Sequence, residues 1–179
     1  GGVKPNPRSG LVYEGINLCK KEGVDFIMGL GGGSVLDSSK AIAAGAVYDG
    51  DFWDFFSKGM KIEKALPLGT IVTISATGSE ASPDTIITKE EGMYKIAADG
   101  DAVRPVFSIM NPALTMTCPP YQKACGITDM MTHVMERYFS NTKDVEITDR
   151  VGEGILKAII TEGKRVMAEP DNYEAHANI

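Results

Sequence analysis

A carboxylate and an imidazole lie four residues apart in the second half of the chain, at Asp129 and His133. Side chains at positions i and i+4 of a helix share one face, so both groups can reach a single divalent cation. Carboxylate oxygen with imidazole nitrogen suits iron(II), zinc or manganese. A surface Asp–His pair, or a hydrogen-bonded core histidine, explains the same spacing. Because a catalytic metal usually takes three or more protein ligands, any others must come from elsewhere.

A run of three glycines ends at Gly33, between a short apolar segment and an alanine-rich one. Glycine lets the backbone approach a ligand closely, and a helix N-terminus offers free N–H groups that suit a pyrophosphate. We expect Ser34 to cap this helix, with Asp37 as its capping-box partner. A capped turn without a ligand is the alternative. The run is neither the G-x-G-x-x-G dinucleotide fingerprint nor a P-loop.

Hydroxyl side chains are concentrated between Thr73 and Ser82, after a second apolar run. Ligands of open α/β sheets bind at the carboxyl ends of the strands. A Ser/Thr loop can also satisfy its own backbone and bind nothing. Because two such loops follow two neighbouring predicted strands, we expect them to share a ligand.

The remaining histidine and the three cysteines point to no further site. His176 has no acidic partner at helical spacing, so we expect a solvent-exposed helix residue. The cysteines are odd in number and form no C-x-x-C pair, which favours reduced thiols in a cytoplasmic protein.

Hydrophobic periodicity predicts the elements that position these residues. In the first part, helices alternate with apolar, β-branched runs, which indicates an α/β fold with parallel strands. The expected ranges are helices over 9–22 and 34–46, a short aromatic helix within 49–56, and strands over 24–30, 70–74, 85–88 and 105–110. After Pro119-Pro120 we expect helices over 121–140 and 145–160, and another that starts near Asp171. We therefore predict an α/β domain over 1–117 and an all-helical domain over 118–179.

Composition excludes several classes of protein. The chain has 179 residues, 43% of them hydrophobic and 23% charged, as is usual for globular proteins. Its net charge of -6 argues against a nucleic-acid partner. No apolar run approaches the roughly 20 residues that span a membrane. The missing initial Met and the short last helix lead us to expect a fragment.

Several motifs, taken together and in order, resemble the iron-containing alcohol dehydrogenase family, and its butanol dehydrogenase branch most. They cover nearly the whole chain: Gly31-Gly32-Gly33-Ser34-Val35-Leu36-Asp37 with Lys40, Ala76-Thr77-Gly78-Ser79-Glu80, Asn111-Pro112-Ala113-Leu114-Thr115, Gly126-Ile127-Thr128-Asp129 to His133, and Glu169-Pro170 to Tyr173. Two departures are the absence of the family's first strand–helix unit and the presence of His176 where the branch more often has Arg.

The resemblance implies a dehydroquinate synthase-like architecture: a partial dinucleotide-binding domain with a parallel sheet, followed by the start of a helical metal-binding domain, with the active site in the cleft between them. It implies that Asp129 and His133 are two of four metal ligands, the others being histidines beyond Ile179. The metal would be iron, or alternatively zinc. NAD or NADP would contact Gly32, Gly33, Ser34, Asp37, Thr73, Thr77, Ser82, Lys95, Leu114 and Thr117.

The resemblance also implies an activity. We expect a cytoplasmic, dimeric oxidoreductase that moves a hydride between NAD(P)H and a small alcohol, aldehyde or ketone, with the metal polarising the substrate oxygen. A glycerol dehydrogenase-like or dehydroquinate synthase-like enzyme is an alternative. If these residues act alone, we expect a non-catalytic nucleotide-binding module.

Overall fold

The fold of residues 2–179 is described by a computed structural model. It contains two compact units, which are treated separately below. The first comprises the residues up to Val72 together with Gly78–Met110, and the second comprises Thr73–Thr77 together with Asn111–Ile179.

The first unit is built around a parallel sheet. Its helices are α1 (Ser9–Glu22), α2 (Gly33–Ala46) and the short α3 (Asp54–Ser57), and its sheet contains β1 (Ile27–Gly31), β2 (Leu68–Val72) and β5 (Phe107–Ile109) in the order β1-β2-β5. Both strand pairs are parallel, because each connection crosses over through other elements. The predicted α/β class is confirmed.

A separate two-stranded antiparallel hairpin joins β3 (Asp84–Lys89) to β4 (Tyr94–Asp99). Strand β3 was expected in the parallel sheet, and that prediction is wrong. Only residues 90–93 connect the two strands, far fewer than the dozen or so that a parallel crossover needs. Strand β4 was not predicted, because its sequence carries few of the residues that favour strands.

The core of the first unit lies where α1 and α2 pack against the hairpin and an aromatic cluster. Small residues on α2, such as Ala41 and Ala44, allow α1 to approach closely with Val12 and Ile16. The aromatic cluster seals this core with Phe52, Trp53, Phe55 and Phe56. This packing fixes α2, the helix that follows the glycine turn.

The second unit is helical. It contains α4 (Ala113–Met116), α5 (Pro120–Tyr138), α6 (Glu146–Ala168) and α7 (Tyr173–Ala177). Pro120 suits the first position of α5, where a backbone N–H has no intrahelical partner. The side chain of Asn172 accepts a hydrogen bond from the Ala175 N–H and so caps α7. Across residues 2–179, none of the helices has the length and apolarity needed to cross a bilayer.

Candidate functional site

The glycine turn after β1 requires glycine at Gly31. Its φ is 157°, and a Cβ added there would overlap the side chain of Val35. Gly32 follows in extended conformation, and its carbonyl accepts hydrogen bonds from the N–H groups of Val35 and Leu36 at 2.9 and 3.2 Å. Helix α2 therefore begins at Gly33, directly after the sheet edge.

The prediction of a capping box at Ser34 and Asp37 is wrong. The N-cap of α2 is Gly32, no side chain caps the helix, and Ser34 lies inside it. The helix starts one residue earlier than expected because Gly32 itself takes the extended N-cap conformation. No acidic residue occupies the first turn of α2, so its partial positive charge is not offset there. This terminus has the chemistry of an anion site.

The two loops that were expected to share a ligand start at the same edge of the sheet. Strands β1 and β2 run parallel, and their last residues, Gly31 and Val72, are paired. The glycine turn therefore begins beside the residue after which the hydroxyl-rich segment starts. This is the edge at which ligands of open α/β sheets bind.

Asp37 makes contacts other than the expected cap. Its carboxylate accepts hydrogen bonds from the Ser79 hydroxyl at 2.7 Å and from the Ile86 N–H at 3.1 Å. Burial raises the pKa of the Asp37 carboxyl, against the opposing effect of these hydrogen bonds. Asp37 thus connects α2 to the segment that contains Ser79 and Ser82.

The other predicted cofactor residues of the first unit have protein partners. The Ser82 hydroxyl donates to the Asp84 carboxylate at 2.7 Å and accepts from the Asp84 N–H at 2.8 Å. Lys95, on β4, is exposed and donates to the side-chain oxygen of Asn6 at 2.8 Å. Both side chains can exchange these contacts for contacts with a ligand, since Asp84 and Asn6 are exposed.

The remaining predicted cofactor residues belong to the second unit. Thr73 is partly buried, whereas Thr77 is exposed. Leu114 lies on α4 with 39% of its surface exposed, and the exposed Thr117 ends that helix. Their contact with a cofactor stays a prediction.

Asp129 and His133 lie on one face of α5, as expected. Their Oδ2 and Nε2 atoms are 3.7 Å apart, and the side chains are 42% and 45% exposed. Two ligand atoms bound at about 2.1 Å to one tetrahedral metal ion lie roughly 3.4 Å apart, so the pair fits a shared cation. Within residues 2–179, no group of three or more His, Cys, Asp or Glu side chains could hold a metal. That Asp129 and His133 bind a metal stays a prediction.

An open groove of about 430 Å³ runs along the exposed face of α5 beside Asp129. It is lined by Tyr121, Ala124, Cys125, Thr128, Asp129 and Thr132. Its lining combines apolar and hydroxyl side chains with one carboxylate.

The expectation for His176 is wrong, because the residue is buried, with 4% of its surface exposed. Its Nδ1 lies 2.9 Å from the Thr115 hydroxyl, and its Nε2 lies 3.0 Å from the Pro170 carbonyl. The buried Lys123 ammonium is 3.4 Å from Nε2 and donates to the Met116 carbonyl. Sequence periodicity missed this cluster because α7 is short and its partners are distant in the chain.

Two of the cysteines, Cys19 and Cys118, show no sign of activation. Burial raises the pKa of the Cys19 thiol, and also that of Cys118, where the opposing effect of Lys123 is smaller. A raised pKa reduces the thiolate fraction and hence the reactivity.

Two sequence profiles together match most of the chain. The profile "Iron-containing alcohol dehydrogenase" matches residues 1–112, and "Fe-containing alcohol dehydrogenase family, C-terminal" matches residues 123–179. The chain belongs to the iron-containing alcohol dehydrogenase family.

Curated relatives of this iron-containing alcohol dehydrogenase chain are about twice as long as the chain itself. It is 44% identical to the probable NADH-dependent butanol dehydrogenase 2 of Bacillus subtilis, a match that covers 99% of this chain and 46% of the relative. It is 38% identical to the NADPH-dependent aldehyde reductase YqhD of Escherichia coli, over 100% of this chain and 47% of the relative. The chain thus spans about half the length of these proteins.

Solved structures agree with this membership. The NADH-dependent butanol dehydrogenase A of Thermotoga maritima superposes with a TM-score of 0.95 at 43% identity, covering 99% of this chain and 44% of that one. A sulfoacetaldehyde reductase of Bifidobacterium kashiwanohense, solved with NAD+, superposes with a TM-score of 0.89 at 28% identity, covering 98% and 47%.

Proposed function

We propose that the intact protein that carries this chain is an NAD(P)-dependent oxidoreductase. It moves a hydride between the nicotinamide and the reacting carbon of a small alcohol, aldehyde or ketone. The observation that carries this proposal is the N-terminus of α2, which β1 reaches through a glycine turn and whose first turn holds no acidic residue. The substrate class follows from relatives named as butanol dehydrogenases and aldehyde reductases.

In this proposal, the backbone of the glycine turn binds the pyrophosphate. The amide groups of Gly33 and Ser34 have no intrahelical acceptor in the first turn of α2, so they are free to donate to phosphate oxygens. Gly32 keeps the backbone close to the ligand. Asp37 acts through its contacts with Ser79 and Ile86, by shaping the segment beside the turn.

The other proposed cofactor contacts come from side chains that can donate hydrogen bonds to the nucleotide or pack against it. The hydroxyls of Thr73, Thr77 and Ser82 donate to its oxygens, and the Lys95 ammonium pairs with a ribose hydroxyl or phosphate. Leu114 and Thr117 supply weaker contacts from α4.

In this proposal, Asp129 and His133 hold a divalent metal. The metal is iron or alternatively zinc. When bound, the metal supplies Lewis-acid polarisation of the substrate oxygen. The two side chains bind and orient it from one helix face. The groove beside Asp129 receives the apolar part of the substrate.

Gly33→Asp tests the cofactor proposal directly. A carboxylate at the first position of α2 favours the helix, by roughly 0.3–1 kcal/mol, but repels a pyrophosphate. We therefore expect unchanged or higher thermal stability, together with at least about tenfold weaker NADH and NADPH binding, since repulsion of about 1.4 kcal/mol or more suffices. Fluorescence titration of the intact protein measures both affinities.

Gly2→Asp is the matched control for this experiment. It adds the same charge at an exposed glycine with open space around it, so both affinities should stay at the parent value. If Gly33→Asp binds both dinucleotides as the parent does, the turn is only a capped helix start and the proposal fails.

A nucleotide-binding module without turnover is the second candidate, for these 179 residues acting alone. It is favoured by the absence, within residues 2–179, of any cluster with three or more metal ligands. Calorimetry of the isolated chain with NADPH, with and without Fe(II), distinguishes the two: cofactor binding without metal binding supports the module. The homodimer and the cytoplasmic location remain part of the proposal for the intact protein, and sedimentation analysis tests the dimer.

A further inference from the structure

Lys40 is a buried cation on α2, one turn after Asp37. None of its surface is exposed. Its ammonium donates to the backbone carbonyls of Ser82 and Asp84, both at 2.8 Å. Among the described residues, no carboxylate lies within ion-pair distance of it. A buried charge held only by carbonyl groups is costly, so its presence needs a physical reason.

The segment that Lys40 holds, Ser79–Asp84, lies outside the helices and strands until it enters β3. Side chains from other parts of the first unit donate hydrogen bonds to its consecutive backbone carbonyls. The Ser108 hydroxyl donates to the Glu80 carbonyl at 2.8 Å, and Arg104 donates to the Ala81 carbonyl. Of these donors, Lys40 is the one that is fully buried and that joins two carbonyls.

We propose that Lys40 is a positioning residue that fixes the Ser79–Asp84 segment for the dinucleotide, and that loss of its proton loosens this segment and weakens cofactor binding. The proposal rests on the proposed function, because it takes this segment to contact the cofactor through Ser82. Lys40 itself does not have to touch the cofactor.

The protonation of Lys40 changes within an accessible pH range. Burial lowers the pKa of Lys40 from 10.5 to about 8, opposed by Asp37 on its own helix, by Asp84 on β3 and by Glu80 in the segment. Arg104 lowers this pKa further. The neutral amine keeps two N–H groups, but charge-assisted hydrogen bonds are roughly twice as strong as neutral ones. An opening that frees the segment while Lys40 stays buried therefore breaks weaker hydrogen bonds above about pH 8, so the segment loosens there.

Complete unfolding, which exposes Lys40 to water, should respond to pH in the opposite direction. Between the folded pKa of Lys40, about 8, and its ordinary value of 10.5, the unfolded chain binds more protons than the folded one. The contribution of Lys40 to stability therefore rises with pH across this window. A segment that loosens while the fold as a whole gains stability distinguishes positioning from ordinary alkaline unfolding.

The test measures amide hydrogen exchange in the intact protein between pH 6.5 and 9.5, expressed as protection factors that correct for intrinsic rates. In the parent, protection of residues 79–86 should fall through about pH 8, and the dissociation constants for NADH or NADPH should rise in parallel. In Lys40→Met, protection should be low at every pH, and binding should be about tenfold weaker, the effect of losing roughly one charged hydrogen bond.

Two further variants control the experiment. Lys64→Met removes an exposed lysine and should retain the pH profile of the parent. Lys40→Arg keeps its positive charge throughout this pH range, so the protection of residues 79–86 should not change with pH in that variant. If Lys40→Met does not fold, Lys40→Arg alone decides the question.

The outcomes separate this proposal from the proposed function. Unchanged protection in Lys40→Met, or a persistent alkaline loss in Lys40→Arg, overturns the positioning role without reference to any cofactor. A loosened segment with unchanged affinity overturns the link to cofactor binding. A parent that binds neither dinucleotide overturns both the proposed function and the link to cofactor binding. The exchange data still report whether Lys40 positions the Ser79–Asp84 segment.

Discussion

The ring of His176 joins two segments that are far apart in the sequence. Burying an imidazole is favourable only when its nitrogens find partners, and here both do, at Thr115 and at Pro170. Because the Pro170 carbonyl can only accept, Nε2 carries the proton and donates to it. His176 thus connects α7 to α4 through these two hydrogen bonds.

Replacing His176 by Ala should destabilise the second unit. The change leaves the Pro170 carbonyl without its donor and creates a cavity, which together cost about 2–4 kcal/mol. Urea unfolding of the intact protein, followed by hydrogen exchange in α7, measures the loss. Glu174→Ala, at an exposed position of the same helix, should change stability by less than about 1 kcal/mol. Equal effects of the two variants would restore the expectation of a solvent-exposed histidine.

The metal pair can be tested one side chain at a time. His133→Ala and Asp129→Asn should each lower the bound iron or zinc by more than about tenfold, since losing one ligand leaves too few donors. Affinity for NAD(P)H should stay at the parent value. Elemental analysis of purified protein measures the metal. Asp171→Asn is the control, because Asp171 is exposed and pairs with no histidine among the residues that the structure describes. Retention of full metal in His133→Ala would remove α5 from the metal site.

Sequence periodicity predicted the long elements well, for physical reasons that differ from element to element. The ranges of α1 and α2 follow from an apolar stripe on one helix face, and those of β1 and β2 follow from short apolar runs. The hairpin β3–β4 could not be predicted as antiparallel, since residues 84–89 resemble a buried parallel strand and the weak sequence of β4 hides its partner. At the site, the i and i+4 spacing predicted that Asp129 and His133 share one helix face, and the resemblance named Lys40 as part of a motif. The sequence did not indicate that Lys40 and Lys123 are buried, because burial of a lysine depends on backbone carbonyls that are distant in the chain.

Close packing of α5 depends on Gly126. A methyl group there would overlap the carbonyl oxygen of Ser75, a backbone atom that cannot rotate away. This contact holds α5 against Thr73–Thr77 within the second unit, and α5 carries Asp129 and His133.

Gly126→Ala should therefore destabilise the protein, although alanine favours helices. We expect a loss of about 1–3 kcal/mol, as for other overpacked sites. Gly154→Ala on α6 meets nothing within 4 Å and should instead stabilise by up to about 1 kcal/mol. Thermal unfolding of both variants checks the opposite signs. Stabilisation by Gly126→Ala would mean that α5 does not pack against Ser75.

At the scale of the whole molecule, large apolar side chains are exposed in both units. Leu30 on β1 is 61% exposed and Ile147 on α6 is 82% exposed. The chain covers about half the length of its curated relatives, so the proposed chemistry belongs to that longer protein.

Direct transfer of deuterium tests the central claim most directly. The intact, iron-loaded protein is incubated with NADH or NADPH that carries deuterium at either face of nicotinamide C4, together with butyraldehyde, and the butanol is analysed by mass spectrometry. We predict one deuterium at C1 of butanol from one of the two labelled faces, and loss of product in His133→Ala. Butanol without deuterium from either face, or no butanol with either cofactor, would contradict it.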